Sequence, residues 1–256
     1  MNIDENKVRD TFARYADNYD VSNPKIALKI VHTYKVSELC KEIALSENMS
    51  EEDVELAWLI GMLHDIGRFE QLRRYNTFSD ANSIDHALLG VTLLFEDKLI
   101  RDYVEDATED KIIDQAIRYH SAYRLPEDLD DRTAMFCNII RDADKLDILR
   151  VQLDTPLEEI YDVTTYDLKH SEVSEAVFQS FHEKHATLRS LKSSPVDYVV
   201  GHISLAFELV YKRSRQLVKE QGYLARNMAF CSENPRTNEQ FDEIRSFMNK
   251  FLDENS

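Results

Sequence analysis

The chain has 256 residues, 43% of them hydrophobic, which supports a sizeable core in one large domain or two modest ones. Its formal net charge of −17 repels polyanions, so polymeric nucleic acid and anionic membrane surfaces are excluded as general partners and an anion site has to be a local basic pocket. Five glycines and five prolines leave few turns, which sets an all-α expectation.

Residues 4–20 read as a polar amphipathic helix that ends before Ser22-Asn23-Pro24, a cap with proline at the first helical position. The next helix runs to about Ser46, with His32, Val36, Leu39 and Ile43 on one buried stripe. Ser50 to Asp53 resembles a capping box and launches a segment that is apolar all round, Ala57 to Leu63, which predicts a buried helix. His64 and Asp65 follow in its last turn, and Gly67 is expected to be the left-handed stop. Ala57, Gly61 and Asp65 share a face, and a glycine inside a helix points to close approach of another element.

The stretch RFEQLRRYNTFSDANS after Gly67 reads as a basic, irregular connection, in which Arg68, Arg73 and Arg74 suit a phosphate. Ser83 is expected to begin a helix carrying His86 and Gly90 on one face. Thr108 is expected to cap the following helix, where Ile113, Ile117 and His120 form the apolar stripe. Asp131 or Thr133 opens a further helix with Phe136, Ile140 and Asp144 in register. Beyond Pro156, helices are predicted over about 170–192, 195–221 and 237–252, with stripes Val173, Val177, Phe181 and Val199, Ile203, Phe207, Val210. These read as a helical cover on the first part, giving a division into residues 1–155 and 156–256. His182 and His185 fall among charged neighbours and read as a solvated face.

Cys40, Cys137 and Cys231 are far apart and in no CxxC pair, no apolar run approaches a membrane span, and MNIDENKVRD carries no apolar signal region. Reduced thiols in a cytoplasmic protein are the expectation.

A lone histidine on an apolar face is usually a satisfied core residue, and a buried aspartate needs a cation. Here His32, His64-Asp65, His86, His120 and Asp144 face inward from five different predicted helices. Imidazoles with carboxylates in that number are an inventory for two divalent ions; imidazole suits Fe, Zn, Ni and Co, and carboxylate admits Mn and Mg.

The order His, His-Asp, His, His, Asp, with the segments HDIGRFE and RDADKLD, resembles the HD-domain superfamily of metal-dependent phosphohydrolases in its two-metal version, over about residues 26–150. The resemblance implies a helical bundle around a central metal site, with additional C-terminal helices. It implies that His32, His64, Asp65 and Asp144 hold one ion and that Asp65 bridges to a second on His86 and His120, with Mn, Fe, Ni or Co favoured and Mg or Zn admitted. The expected chemistry is attack of a hydroxide generated between the ions on a phosphoester. Asp65, Arg68 and Lys145 are the catalytic candidates, the last two for anion stabilisation, and Arg68, Gln71, Arg73 and Arg74 are the substrate-binding candidates. The subgroup that cleaves cyclic diguanylate carries Gly-Tyr-Pro after the last histidine and lysine where Arg68 stands. HSAYRLPEDL departs from that pattern, so the expected substrate is a small phosphorylated molecule, a nucleotide by preference. The same ligands also resemble the mixed-valent di-iron oxygenases. A one-metal nucleotidase, a non-catalytic helical interaction module and a homo-oligomer are compatible with the same residues.

Overall fold

The computed structural model describes residues 1–156 and 163–255; among them every regular element is a helix. The chain divides into two compact units, Met1–Asp144 and Lys145–Ser256. No helix among the described residues is long and apolar enough to cross a membrane, and the three cysteines are free thiols.

In the first unit the helix starts at Asn23 and Ser50 follow the predicted caps. Asp4 accepts from the backbone N–H groups of Asn6 and Lys7 to open α1 (Glu5–Ala16). Asn23, followed by Pro24, opens α2 (Pro24–Ser46), and Ser50 opens α3 (Glu51–Leu63) by accepting from Asp53 N–H. Each cap supplies an acceptor to an otherwise unpaired donor of the first turn. Every residue of α3 from Leu56 to Leu63 is buried, and α2 packs so closely that a Cβ on Gly61 would lie 2.6 Å from Ser37 Cα.

The chain then departs from the expected stop. It bends at His64–Asp65, where Asp65 has φ −105° and ψ 15°, and resumes at once as α4 (Ile66–Tyr75). Gly67 is helical, so the left-handed stop and the irregular connection after it are both corrected. Residues 68–75 contain no glycine or proline, and Ile66, Phe69 and Leu72 give them a buried stripe at helical spacing. Phe69 packs edge-on against Phe12 and Tyr15 of α1. The left-handed residue is Asn76, φ 52°, which closes α4.

Gly67 is required for another reason. A Cβ there would lie 2.2 Å from His86 O and 2.7 Å from Gly90 N, so α4 and α5 (His86–Val91) meet backbone to backbone. The cap of α5 is Asp85, which accepts from Ala87 and Leu88 N–H; Ser83 ends a preceding short turn instead. After α6 (Ile100–Tyr103), α7 (Asp110–Tyr119) begins without a side-chain cap: its N-cap position falls on Glu109, and Thr108 lies one residue before it with its N–H on Asp106. The long α8 (Asp131–Asp154) carries the chain from the first unit into the second.

In the second unit the expected long helices are broken. The span 170–192 contains Thr165–His170 running into it, Glu175–His182, and a single turn at Arg189–Leu191. Asp197, fully buried, accepts from Ser174, Ser193 and Ser194 N–H, so the serine-rich joints bond to a carboxylate in place of a helical ladder. The span 195–221 is Asp197–Ile203, a tighter Ser204–Glu208 and Lys212–Gln221. Val210 therefore leaves its predicted stripe and is exposed, while Val199, Ile203 and Phe207 stay buried. Pro235–Asn255 matches the last predicted helix within a few residues.

Candidate metal centre

The first unit brings the predicted side chains together from separate elements. α2 supplies His32, the bend after α3 supplies His64 and Asp65, α5 begins with His86, α7 ends at His120, and α8 supplies Asp144. Successive residues on a continuous helix point about 100° apart. The break at Asp65 is what lets two neighbours face one cluster, His64 Nε2 lying 3.5 Å from Asp65 Oδ2.

The two oxygens of Asp65 look in different directions. Oδ2 faces His32 Nε2 at 3.6 Å and His64 Nε2 at 3.5 Å, and Asp144 Oδ1 completes that side at 3.1 Å from His32 Nε2 and 3.9 Å from His64 Nε2. Oδ1 faces His86 Nε2 at 3.5 Å and His120 Nε2 at 3.7 Å. His32, His64, Asp65, His86 and His120 are all at most 5% exposed.

The imidazoles are oriented from behind. Nδ1 of His64 donates to Gly61 O, Nδ1 of His120 to Ile117 O, and Nδ1 of His86 to Asp80 Oδ2, each at 2.7 Å. A carbonyl or carboxylate only accepts, so the hydrogen sits on Nδ1 and each Nε2 offers a lone pair to the cluster. Burial lowers all three, His120 to about 4, so the rings are neutral at neutral pH, the form in which an imidazole is able to bind a metal. Burial alone would raise the Asp65 carboxyl, but Lys29, His64, Arg68 and His86 together hold it well below the usual range. For Asp144 burial also raises, and His32, His64 and His120 outweigh it.

A cation fits these groups. His64 Nε2 is buried without a hydrogen-bond partner. His86 Nε2 and His120 Nε2 stand 3.0 Å apart with no hydrogen between them to share. Two nitrogens bound at ~2.1 Å and at right angles to one ion would be ~3.0 Å apart. Among the described residues His32, His64 and Asp144 form one group able to hold an ion, and His64, Asp65 and His120 another. A third, Asp80, Asp85 and His86, is already satisfied by the His86 hydrogen bond and the α5 cap.

The basic residues divide. Arg68 Nε is 3.6 Å from Asp65 Oδ1, while its Nη1 donates to Asp80 Oδ1, Phe78 O and Gln71 Oε1. Gln71, fully buried, donates to Asp80 Oδ1, Ser83 Oγ and Ile84 O, so it holds the 78–84 loop and its amide is committed there. Arg73 and Arg74 are exposed and pair with the buried Glu70 carboxylate, which also ties Tyr19 of the segment after α1. Lys145 follows Asp144 on α8 and is half-buried.

Sequence reasoning missed two groups. Lys29 Nζ lies 2.5 Å from Asp65 Oδ2; its signal was the i, i+3 spacing to His32. Asp80 backs His86; burial raises its carboxyl, but the His86 hydrogen bond and the Arg68 charge outweigh that and hold it at about 2. An aspartate in a polar loop carries no periodic signal.

The family model for the HD domain matches residues 30–149, a span that contains His32, His64, Asp65, His86, His120 and Asp144. Residues 30–149 belong to the HD-domain superfamily. Comparison with curated proteins and with solved structures returned no match. An HD domain implies a metal-dependent, hydrolase-like superfamily for this span, and its histidine and aspartate clusters are groups that could hold metal.

Proposed function

We propose that this HD domain is a phosphohydrolase that works with two divalent ions on a small phosphoester, a nucleotide by preference. The observation that carries the reading is the division of Asp65: one carboxylate oxygen faces His32 and His64, the other faces His86 and His120. His32, His64, Asp65 and Asp144 would hold one ion, and Asp65, His86 and His120 the second. Nitrogen and carboxylate donors suit Mn, Fe, Ni or Co and admit Mg or Zn. Such ions supply an acidified water and Lewis-acid stabilisation of phosphoryl oxygens.

The protein's own part is to hold and screen. Asp80, Gly61 O and Ile117 O keep His86, His64 and His120 in the ligating tautomer. Arg68, fixed by acceptors on the 78–84 loop, offers its remaining edge to charge beside Asp65. Gln71 supports this arrangement from behind, whereas Arg73 and Arg74 act through Glu70 on the α1–α4 contact.

Elemental analysis of protein purified without a polyhistidine tag, followed by a phosphoester screen with Mn under argon, tests the reading. Two ions per chain with hydrolysis are expected. One ion or none, with no second taken up on titration, breaks the two-ion site. Oxygen consumption by the iron-loaded protein with no hydrolysis under argon would assign it to the oxygenases.

A further inference from the structure

Each oxygen of Asp65 meets a cation as well as its imidazoles: Lys29 Nζ at 2.5 Å from Oδ2 and Arg68 Nε at 3.6 Å from Oδ1. Both cations also flank one ring, lying 5.6 and 5.7 Å from the centroid of Phe78. They differ in how they are held. Arg68 is pinned through its Nη1 to Gln71, Phe78 O and Asp80, whereas Lys29 stands one turn before His32 on α2 with 17% of its side chain exposed and its ammonium on Asp65. A lysine is a compact charge on a flexible stem, suited to changing partners, and a guanidinium fixed by several acceptors is not.

An ion held through Asp65 Oδ2 would draw on lone pairs of the same oxygen that accepts from Lys29. Once they are taken, a half-buried ammonium is left beside two divalent cations, an arrangement that is unfavourable until an anion joins it. We propose that Lys29 is a substrate-anchoring residue: it holds Asp65 in the ion-free protein and transfers to a phosphoryl oxygen when the ions are bound, opposite Arg68. This rests on the two-ion reading above and deepens it, assigning two cationic anchors from opposite sides of Asp65 to one phosphoryl group.

The proposal predicts effects of opposite sign from one substitution. Mn would be titrated into the ion-free full chain by calorimetry, and inorganic phosphate then titrated into the Mn-loaded protein, for wild type, Lys29→Gln and Lys29→Arg. Loss of a charge-assisted contact should weaken phosphate about tenfold to a hundredfold in Lys29→Gln. Mn should bind at the same stoichiometry with equal or higher affinity, because a competitor is gone, and Lys29→Arg should recover most of the phosphate affinity. A lysine that only braces Asp65 would instead lose Mn and phosphate together, and that result overturns the proposal. Equal phosphate binding by Lys29→Gln and wild type overturns it too, as does wild type that binds no phosphate. Phosphate binding with this dependence on Lys29, in a protein that hydrolyses no phosphoester, supports the anchor while breaking the hydrolase reading.

Discussion

Each unit of the chain holds four of its eight histidines, and the two sets have opposite fates. In the first unit His32, His64, His86 and His120 are buried, and the four Nε2 atoms turn towards one carboxylate. In the second, His170 stacks on Tyr166, His182 packs on Phe178 and Phe247, and His185 pairs with Glu208, all at exposed positions. His202 comes nearest to the first set, since burial and then Lys192 push it down to about 3. At His120, by contrast, burial and His64 lower the pKa while Asp65 and Asp144 pull it up. A depressed histidine is therefore no mark of a site by itself; converging carboxylates are what separate ligand from core residue.

Four substitutions or conditions would break or sharpen that contrast. The largest effect is expected from Asp65→Ala, which removes the group both clusters share: both ions and all turnover should be lost together, by elemental analysis and phosphoester assay. Retention of two ions would show that the clusters do not depend on Asp65.

Acid should come next. In the ion-free protein His120 is held at about 4 against about 6.5 unfolded, so between those values the unfolded chain binds more protons and stability falls as pH falls. The shift corresponds to about 3 kcal/mol at its limit. Thermal midpoints measured from pH 7 down to pH 4.5 should drop, and bound Mn should reduce the drop near neutrality. A flat profile would mean that the folded protein takes up protons as readily as the unfolded chain, so that no ring of the cluster is held below its ordinary value.

Asp80→Asn is expected to weaken one ion of the two by about tenfold to a hundredfold, because His86 loses the carboxylate that fixes its tautomer. Equal weakening of both ions would make Asp80 a loop-folding residue instead. The smallest effect belongs to His182→Ala in the second unit. Ion content should be unchanged and unfolding free energy should move by little more than about 0.5 kcal/mol, the lost Phe247 contact included. Loss of an ion there would erase the distinction between the two sets.

Local physics made much of this legible from the residues. The caps at Asn23 and Ser50, the buried α3, and the stripes that carry His32, His120 and Asp144 depend on spacing within one helix, and spacing is a property of sequence. The close approach at Gly61 was likewise readable as a glycine set in an apolar helix. Gly67 was not, because a glycine after a histidine-aspartate pair has the same appearance whether it ends a helix or admits α5 against its backbone.

What the sequence by itself determined is the all-α class, the helix starts at Asn23 and Ser50 and the set of inward-facing imidazoles and carboxylates. Only the tertiary structure decided that Asp65 divides its oxygens between two pairs of histidines, that Asp80 stands behind His86, and that Lys29 pairs with Asp65. Those relations join α2 to α4, and the 78–84 loop to α5, through distances of a few ångströms. No periodicity within one segment encodes a distance to another.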